Sequence, residues 1–121
     1  MEDIDNEVGE AFTRIERLLG ARDARVVLAD ARNDLLIALE AIEDSVQVSD
    51  EKTFRFQAHA LVGVLSTFGF TRAECLSRSL LNRDCVAARD LPVLREEISF
   101  IATRIQALVS CETSYLHHKT A

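Results

Sequence analysis

The sequence predicts an all-α protein. Three observations carry this. Only four Gly and one Pro punctuate 121 residues, too few turn-formers for a strand-rich fold. Apolar residues recur at spacings of three and four along most of the chain. The polar breaks between these stretches are short, which suits helices joined by tight turns. At this length residues 1–121 form one domain with one modest core.

The elements follow in order. Ile4, Val8, Phe12, Ile15 and Leu19 define an amphipathic helix over about 4–19, stopped by Gly20, so that residues 1–20 form an accessory N-terminal segment. Asp23 is the expected N-cap of a second helix over about 24–47, with Val27, Ala31, Leu35, Ala38, Leu39 and Ile42 inward. Ser49-Asp50 is a turn short enough to make the second helix and a third, over 51–68, antiparallel neighbours. Gly69 ends the third helix. Thr71-Arg72-Ala73-Glu74 fits a capping box, with Phe70 and Cys75 as its hydrophobic staple, for a fourth helix over about 72–82. Ala73, Leu76 and Leu80 lie on its inner side. Residues 83–90 read as a loop containing one helical turn. Asp90-Leu91-Pro92 opens the last helix, which runs to about 116 on a stripe of Leu94, Ile98, Ile101, Ile105 and Leu108. The bundle thus covers 23–116, and 117–121 is expected to fray. His117 and His118 read as part of a solvated tail, because no third metal ligand is near them in sequence.

Composition narrows the function classes. Fourteen basic residues face twenty acidic ones, for a formal charge of −6, and no basic stretch exceeds two residues. Nucleic-acid binding needs clustered cations, so it is not expected. No apolar run approaches the roughly 20 residues of a membrane span. The acidic start, M-E-D-I-D-N-E, is the opposite of a signal-peptide n-region. Cys75, Cys85 and Cys111 are widely spaced, without a C-x-x-C pair, and read as buried reduced thiols. The expectation is a cytoplasmic protein without a metal site in its cysteines.

One residue stands apart on the third helix. At 100° per residue, Phe54, Ala58, Leu61, Leu65 and Phe68 fall within about 40° of one line, and His59 lies about 140° from it. Arg55, Val62, Gly63 and Ser66 surround the histidine, and Phe56 shares the outer side. Gly63, one turn on, leaves a bare spot beside the ring. Two readings are open: an ordinary surface histidine beside a tolerated glycine, or a surface built to bring another molecule close to an imidazole.

The run A-H-A-L-V-G at 58–63, with Phe68 and Gly69 nine and ten positions after the histidine, resembles the histidine-containing phosphotransfer (HPt) domains. Their pattern is a phosphoaccepting His, Leu or Phe two on, Lys three on, Gly four on and a second Gly ten on. His59, Leu61, Gly63 and Gly69 match it, Arg55 is also common there, and Ala73, Leu76 and Leu80 fit the following helix. The closest match spans residues 54–82. Val62 stands where the family has its Lys, Val64 and Leu65 replace small residues, and Leu81 and Asn82 fall where some members carry a Gln.

The resemblance implies an antiparallel up-down four-helix bundle with the N-terminal helix added. It implies a phosphoryl carrier with no cofactor of its own, rather than a turnover enzyme. His59 would take a phosphoryl group from the aspartyl phosphate of a response-regulator receiver domain and pass it to another, with Mg²⁺ supplied on the receiver and a hybrid histidine kinase as a further partner. Arg55 would stand in for the missing Lys, with Ser66 nearby. Phe56, Val62, Gly63 and Phe70 would form the docking rim, and the chain would act as a monomer. The rival expectation is a degenerate HPt-like adaptor that binds receiver or kinase domains without being phosphorylated. The first helix would cap one end of the core, mediate dimerisation or lie over the site as a lid.

Overall fold

The computed structural model describes residues 2–82 and 90–120, with side chains for 3–82 and 90–110. All the regular structure in these residues is helical: α1 Glu2–Leu19, α2 Ala21–Gln47, α3 Glu51–Phe68, α4 Thr71–Leu81 and α5 Leu91–Thr120. The loop turn expected within 83–90 lies almost wholly outside the described residues. None of the helices is long and apolar enough to cross a membrane among the residues described.

The three-and-four periodicity becomes a single buried cluster. Leu28, Leu35, Leu39 and Ile42 of α2 meet Phe54, Leu61 and Leu65 of α3, Leu80 of α4, and Leu94, Ile98, Ile101 and Ile105 of α5. Ile4, Val8 and Ala11 of α1 close the cluster. The long α2 is the spine, packed against α1, α3 and α5, while α4 bridges α3 and α5. The two buried serines cause no orphaned hydroxyl. Ser45 donates to the Ile42 carbonyl at 2.7 Å and Ser77 to the Ala73 carbonyl at 2.9 Å.

The ends of α3 are made locally. The Asp50 carboxylate accepts from the Thr53 amide at 3.1 Å and from the Thr53 hydroxyl at 2.6 Å. These bonds, the hydroxyl's first, hold the Asp50 carboxyl below its ordinary pKa. At the other end Gly69 is left-handed, φ 75°, and the Phe70 amide donates back to the Leu65 carbonyl at 2.9 Å.

Several expected boundaries shift. Helix α2 starts at Ala21, with Gly20 at the N-cap and no side-chain cap. Asp23 sits inside the first turn, where its charge suits the dipole instead. The capping box does not form, because α4 begins one residue early, with Phe70 at the N-cap. Phe70 is drawn into the core, the Glu74 carboxylate pairs with Arg78 at 2.8 Å, and Cys75 is exposed, so neither the box nor the staple is made. The exposure of Cys75 also corrects the expectation of a buried thiol. Helix α5 continues to Thr120, so the segment expected to fray stays helical almost to its end, in keeping with the lack of Gly or Pro after Pro92.

Helix α1 supplies what the α3–α4 turn lacks. Arg14 donates to the Phe68 carbonyl at 2.9 Å, capping the end of α3. The Glu7 carboxylate accepts from the Thr71 amide at 3.0 Å, capping the start of α4. Asp5 pairs with Arg104 of α5 at 3.1 Å. Thus α1 clasps the end of the core away from the centre of α3 rather than covering that centre.

Partial burial raises the Glu7 pKa; the Thr71 amide opposes the shift, and Glu97, Asp3 and Glu10 add to it. The folded state therefore holds this proton to higher pH than the unfolded chain. The stabilisation is complete below the ordinary glutamate pKa and is lost as pH rises through the raised one. Glu7→Gln, which mimics the protonated form, should raise the melting temperature at pH 7 and leave it nearly unchanged at pH 4. An equal change at both pH values would refute the assignment.

Candidate functional site

Helix α3 owes its direction to its buried face, and that face fixes where His59 points. Phe54, Ala58, Leu61, Val62 and Leu65 are buried, whereas Phe68 is only partly so. The stripe is therefore rotated toward α4 compared with the sequence expectation. His59 still lies about 120° from its centre and is exposed. Neither ring nitrogen has a hydrogen-bond partner among the described residues.

Two of the expected rim residues are not at the surface. Val62 is only 8% exposed and lies on the side of α3 from which Arg55 reaches the Leu81 carbonyl of α4. Phe70 is 0% exposed; it fills the space under the α3–α4 turn, its ring stacked on Phe68 at a centroid distance of 6.1 Å. Phe56 is 70% exposed, and Gly63 and Ser66 are also open to solvent. The surface around the imidazole thus consists of Arg55, Phe56, Gly63 and Ser66.

Arg55 is not aimed freely at the ring. Its Nη1 donates to the Leu81 carbonyl at the end of α4, and its Nε faces Glu51, both at 3.4 Å. A guanidinium at a helix C-terminus is favourably placed in the dipole field. Both bonds are long and solvent-exposed, so they hold Arg55 weakly.

The two glycines of the motif have different reasons. A Cβ at Gly69 would approach Arg14 Nη2 at 3.2 Å, and its backbone is left-handed. A Cβ at Gly63 meets nothing within 4 Å. Gly63→Ala should therefore stabilise the fold by about 0.5–1 kcal/mol, while Gly69→Ala should destabilise it by about 1–2 kcal/mol. Urea denaturation of the two variants checks this. A loss of stability in Gly63→Ala would show an internal role for that glycine.

A shallow groove of about 530 Å³ runs beside Gly63 between α2 and α3. Asp30 and Asp34 of α2 line it opposite Ala60 and Gly63. These aspartates were missed in the sequence, although their spacing of one helical turn on the polar side of α2 was there to read. A larger cleft, about 700 Å³, lies between α2 and α5 and is bordered by the Glu43–Arg95 ion pair. That pair holds the Arg95 guanidinium's proton more tightly than usual, and the cleft contains no histidine, serine or cysteine. No group of His, Cys, Asp and Glu among the described residues is arranged to hold a metal ion.

The His59 imidazole is thus exposed beside a bare stretch of helical surface. Comparison of the chain with protein-family models, with curated proteins and with solved structures finds no match.

Proposed function

We propose that this chain is a histidine phosphotransfer protein, relaying a phosphoryl group between response-regulator receiver domains through His59. The observation that carries the reading is the pairing of an exposed His59, unpartnered among the described residues, with Gly63, a helix-weakening residue whose missing Cβ no described residue requires. A helix gives up about 1 kcal/mol for a glycine, and a visiting domain that needs close approach to the imidazole explains that loss. On this reading α2 to α5 form an antiparallel up-down four-helix bundle, with α1 added as a clasp. The carrier is a cytoplasmic monomer that engages receivers or a hybrid histidine kinase and binds neither nucleic acid nor membrane.

The chemistry asks little of the carrier. One neutral ring nitrogen attacks the phosphorus of the receiver's aspartyl phosphate with its lone pair. The N–P bond forms, the P–O bond to the aspartate breaks, and the carboxylate leaves as an anion. The other ring nitrogen keeps its proton. Onward transfer reverses these steps on a second receiver. Mg²⁺ on the receiver neutralises the charge of the transferring group. The chain contributes an oriented nucleophile and an unobstructed approach. Arg55 can swing from its weak bonds toward a phosphoryl group one turn away.

A specific observation also favours the adaptor reading. Val62 puts a buried methyl pair where the HPt family has its Lys, and Arg55 rests on Leu81 and Glu51. An adaptor would bind receiver or kinase domains through the same face without accepting phosphate. Purified receiver domains from the same genome, labelled from acetyl [³²P]phosphate, separate the two. Acid-labile, base-stable label on this chain supports transfer, binding without label supports the adaptor, and the absence of both removes the HPt reading.

A further inference from the structure

A small pocket of about 210 Å³ lies where α1, α4 and α5 meet. Ile4 of α1, Arg72 of α4, and Val93, Glu96, Glu97 and Phe100 of α5 form its walls. Glu97 is the unusual member. It is only 7% exposed, and a buried carboxylate needs its lone pairs answered. Its Oε1 accepts from Arg72 Nε at 2.7 Å. Its Oε2 is buried with no hydrogen-bond partner among the described residues. From α1 it feels the charge of Glu7, another acidic group, with no hydrogen bond between the two. Glu96 adds an exposed carboxylate to the same wall. Two carboxylates thus face one guanidinium, which leaves the pocket one negative charge in excess. The rest of the wall is apolar, with Ile4 buried, Phe100 half-buried and Val93 partly exposed.

We infer that this pocket binds a small organic cation, a primary ammonium on a short alkyl chain, with the ammonium between Glu97 and Glu96 and the chain against Ile4, Val93 and Phe100. The inference is independent of the phosphotransfer reading. An ammonium supplies both things the site lacks, an N–H donor for Glu97 Oε2 and one positive charge. Its three donors can serve both carboxylates while Arg72 keeps its bond to Oε1. A water would supply a donor but no charge. An anion would meet the excess of carboxylate. A metal ion is disfavoured, because no group of three His, Cys, Asp or Glu among the described residues is arranged to hold one. The apolar walls favour an alkyl chain over a bare ammonium ion, and the volume limits that chain to a few carbons. Because the walls come from three helices, a bound cation ties α1 to α4 and α5 and stabilises the clasped fold by mass action.

The test is a titration of the full chain with n-butylammonium chloride, followed by amide chemical shifts and by melting temperature, with 1-butanol and sodium chloride as comparisons. Butylammonium should give saturable shifts centred on Ile4, Arg72 and residues 93–100, with a Kd of about 1–10 mM for so few atoms. It should also raise the melting temperature, whereas sodium chloride should do neither. Glu97→Gln removes the charge and should weaken binding at least tenfold. Val93→Lys places a tethered ammonium on the exposed part of the same wall. That variant should melt above wild type and no longer bind butylammonium, which keeps the inference testable should Glu97→Gln fail to fold. Asp44→Asn, in the separate α2–α5 cleft, should retain wild-type affinity. Equal binding of 1-butanol would reduce the site to an apolar cavity, and an equal loss in Asp44→Asn would reduce it to net charge. No saturable shift up to about 100 mM would leave Oε2 to a water molecule. Each of these overturns the inference, as does wild-type binding in Val93→Lys. None of them bears on His59, so the phosphotransfer reading stands or falls separately.

Discussion

Replacing His59 with alanine should abolish phosphorylation of this chain and leave its fold unchanged. In wild type, the reading requires acid-labile, base-stable label after incubation with a phosphorylated receiver. In His59→Ala that label should fall to background, because no other imidazole on the described surface has Gly63 beside it. The stability change should stay within about 0.5 kcal/mol, since the ring is exposed and makes no hydrogen bond among the described residues. Alanine is also the better helix former. Receiver affinity should change little, because Phe56 and Gly63 are untouched. A variant that stays folded, binds a receiver and shows no label localises the chemistry to one nitrogen-bearing ring. Label persisting in His59→Ala would place the acceptor elsewhere and remove His59 from the mechanism.

The features legible in the sequence are those decided within a few residues. Helix α3 has its expected bounds because the signals that set them are local: Asp50 caps the start with its own carboxylate, and Gly69 adopts the left-handed turn at the end, where Arg14 adds a distant bond to the Phe68 carbonyl. The outward direction of His59 was legible because it follows from a 3.6-residue period over Phe54, Ala58, Leu61 and Leu65. Val62 was misplaced because the apolar arc of α3 is wider than one line, and the partner helix decides which edge is covered. Phe68 is only partly buried and Val62 is buried, a choice that depends on how the neighbouring helices cross α3. The α3–α4 turn was misread for a longer-range reason. Thr71 and Glu74 have capping-box spacing, yet the Thr71 amide is taken by Glu7, 64 positions away, and the end of α3 by Arg14, 54 positions from Phe68. No local window contains those partners. Asp30 and Asp34 were visible as polar residues but not as a groove edge, since the groove exists only once α3 lies beside α2.

Phe70→Ala distinguishes the surface role expected from sequence from the core role found in the structure. A docking-rim phenylalanine, once truncated, would lower partner affinity and leave stability within about 0.5 kcal/mol. Phe70 is fully buried, stacked on Phe68, and sits at the junction where α3 ends and α4 begins. Removing its ring leaves a cavity beneath a turn whose backbone is held by Arg14 and Glu7 and cannot readily collapse. The expected loss is about 3–5 kcal/mol, a large part of the roughly 5–15 kcal/mol of a typical domain. At roughly 3–6 °C per kcal/mol for a chain of this size, the melting temperature should fall by more than about 10 °C. Phe56→Ala should do the reverse, with little change in melting and a several-fold loss of receiver affinity, because its ring is already in water. Calorimetry gives the first quantity. Titration below the transition, corrected for the folded fraction, gives the second. If Phe70→Ala melts like wild type while binding more weakly, the ring belongs to the interface and the packing of the α3–α4 turn described above is wrong.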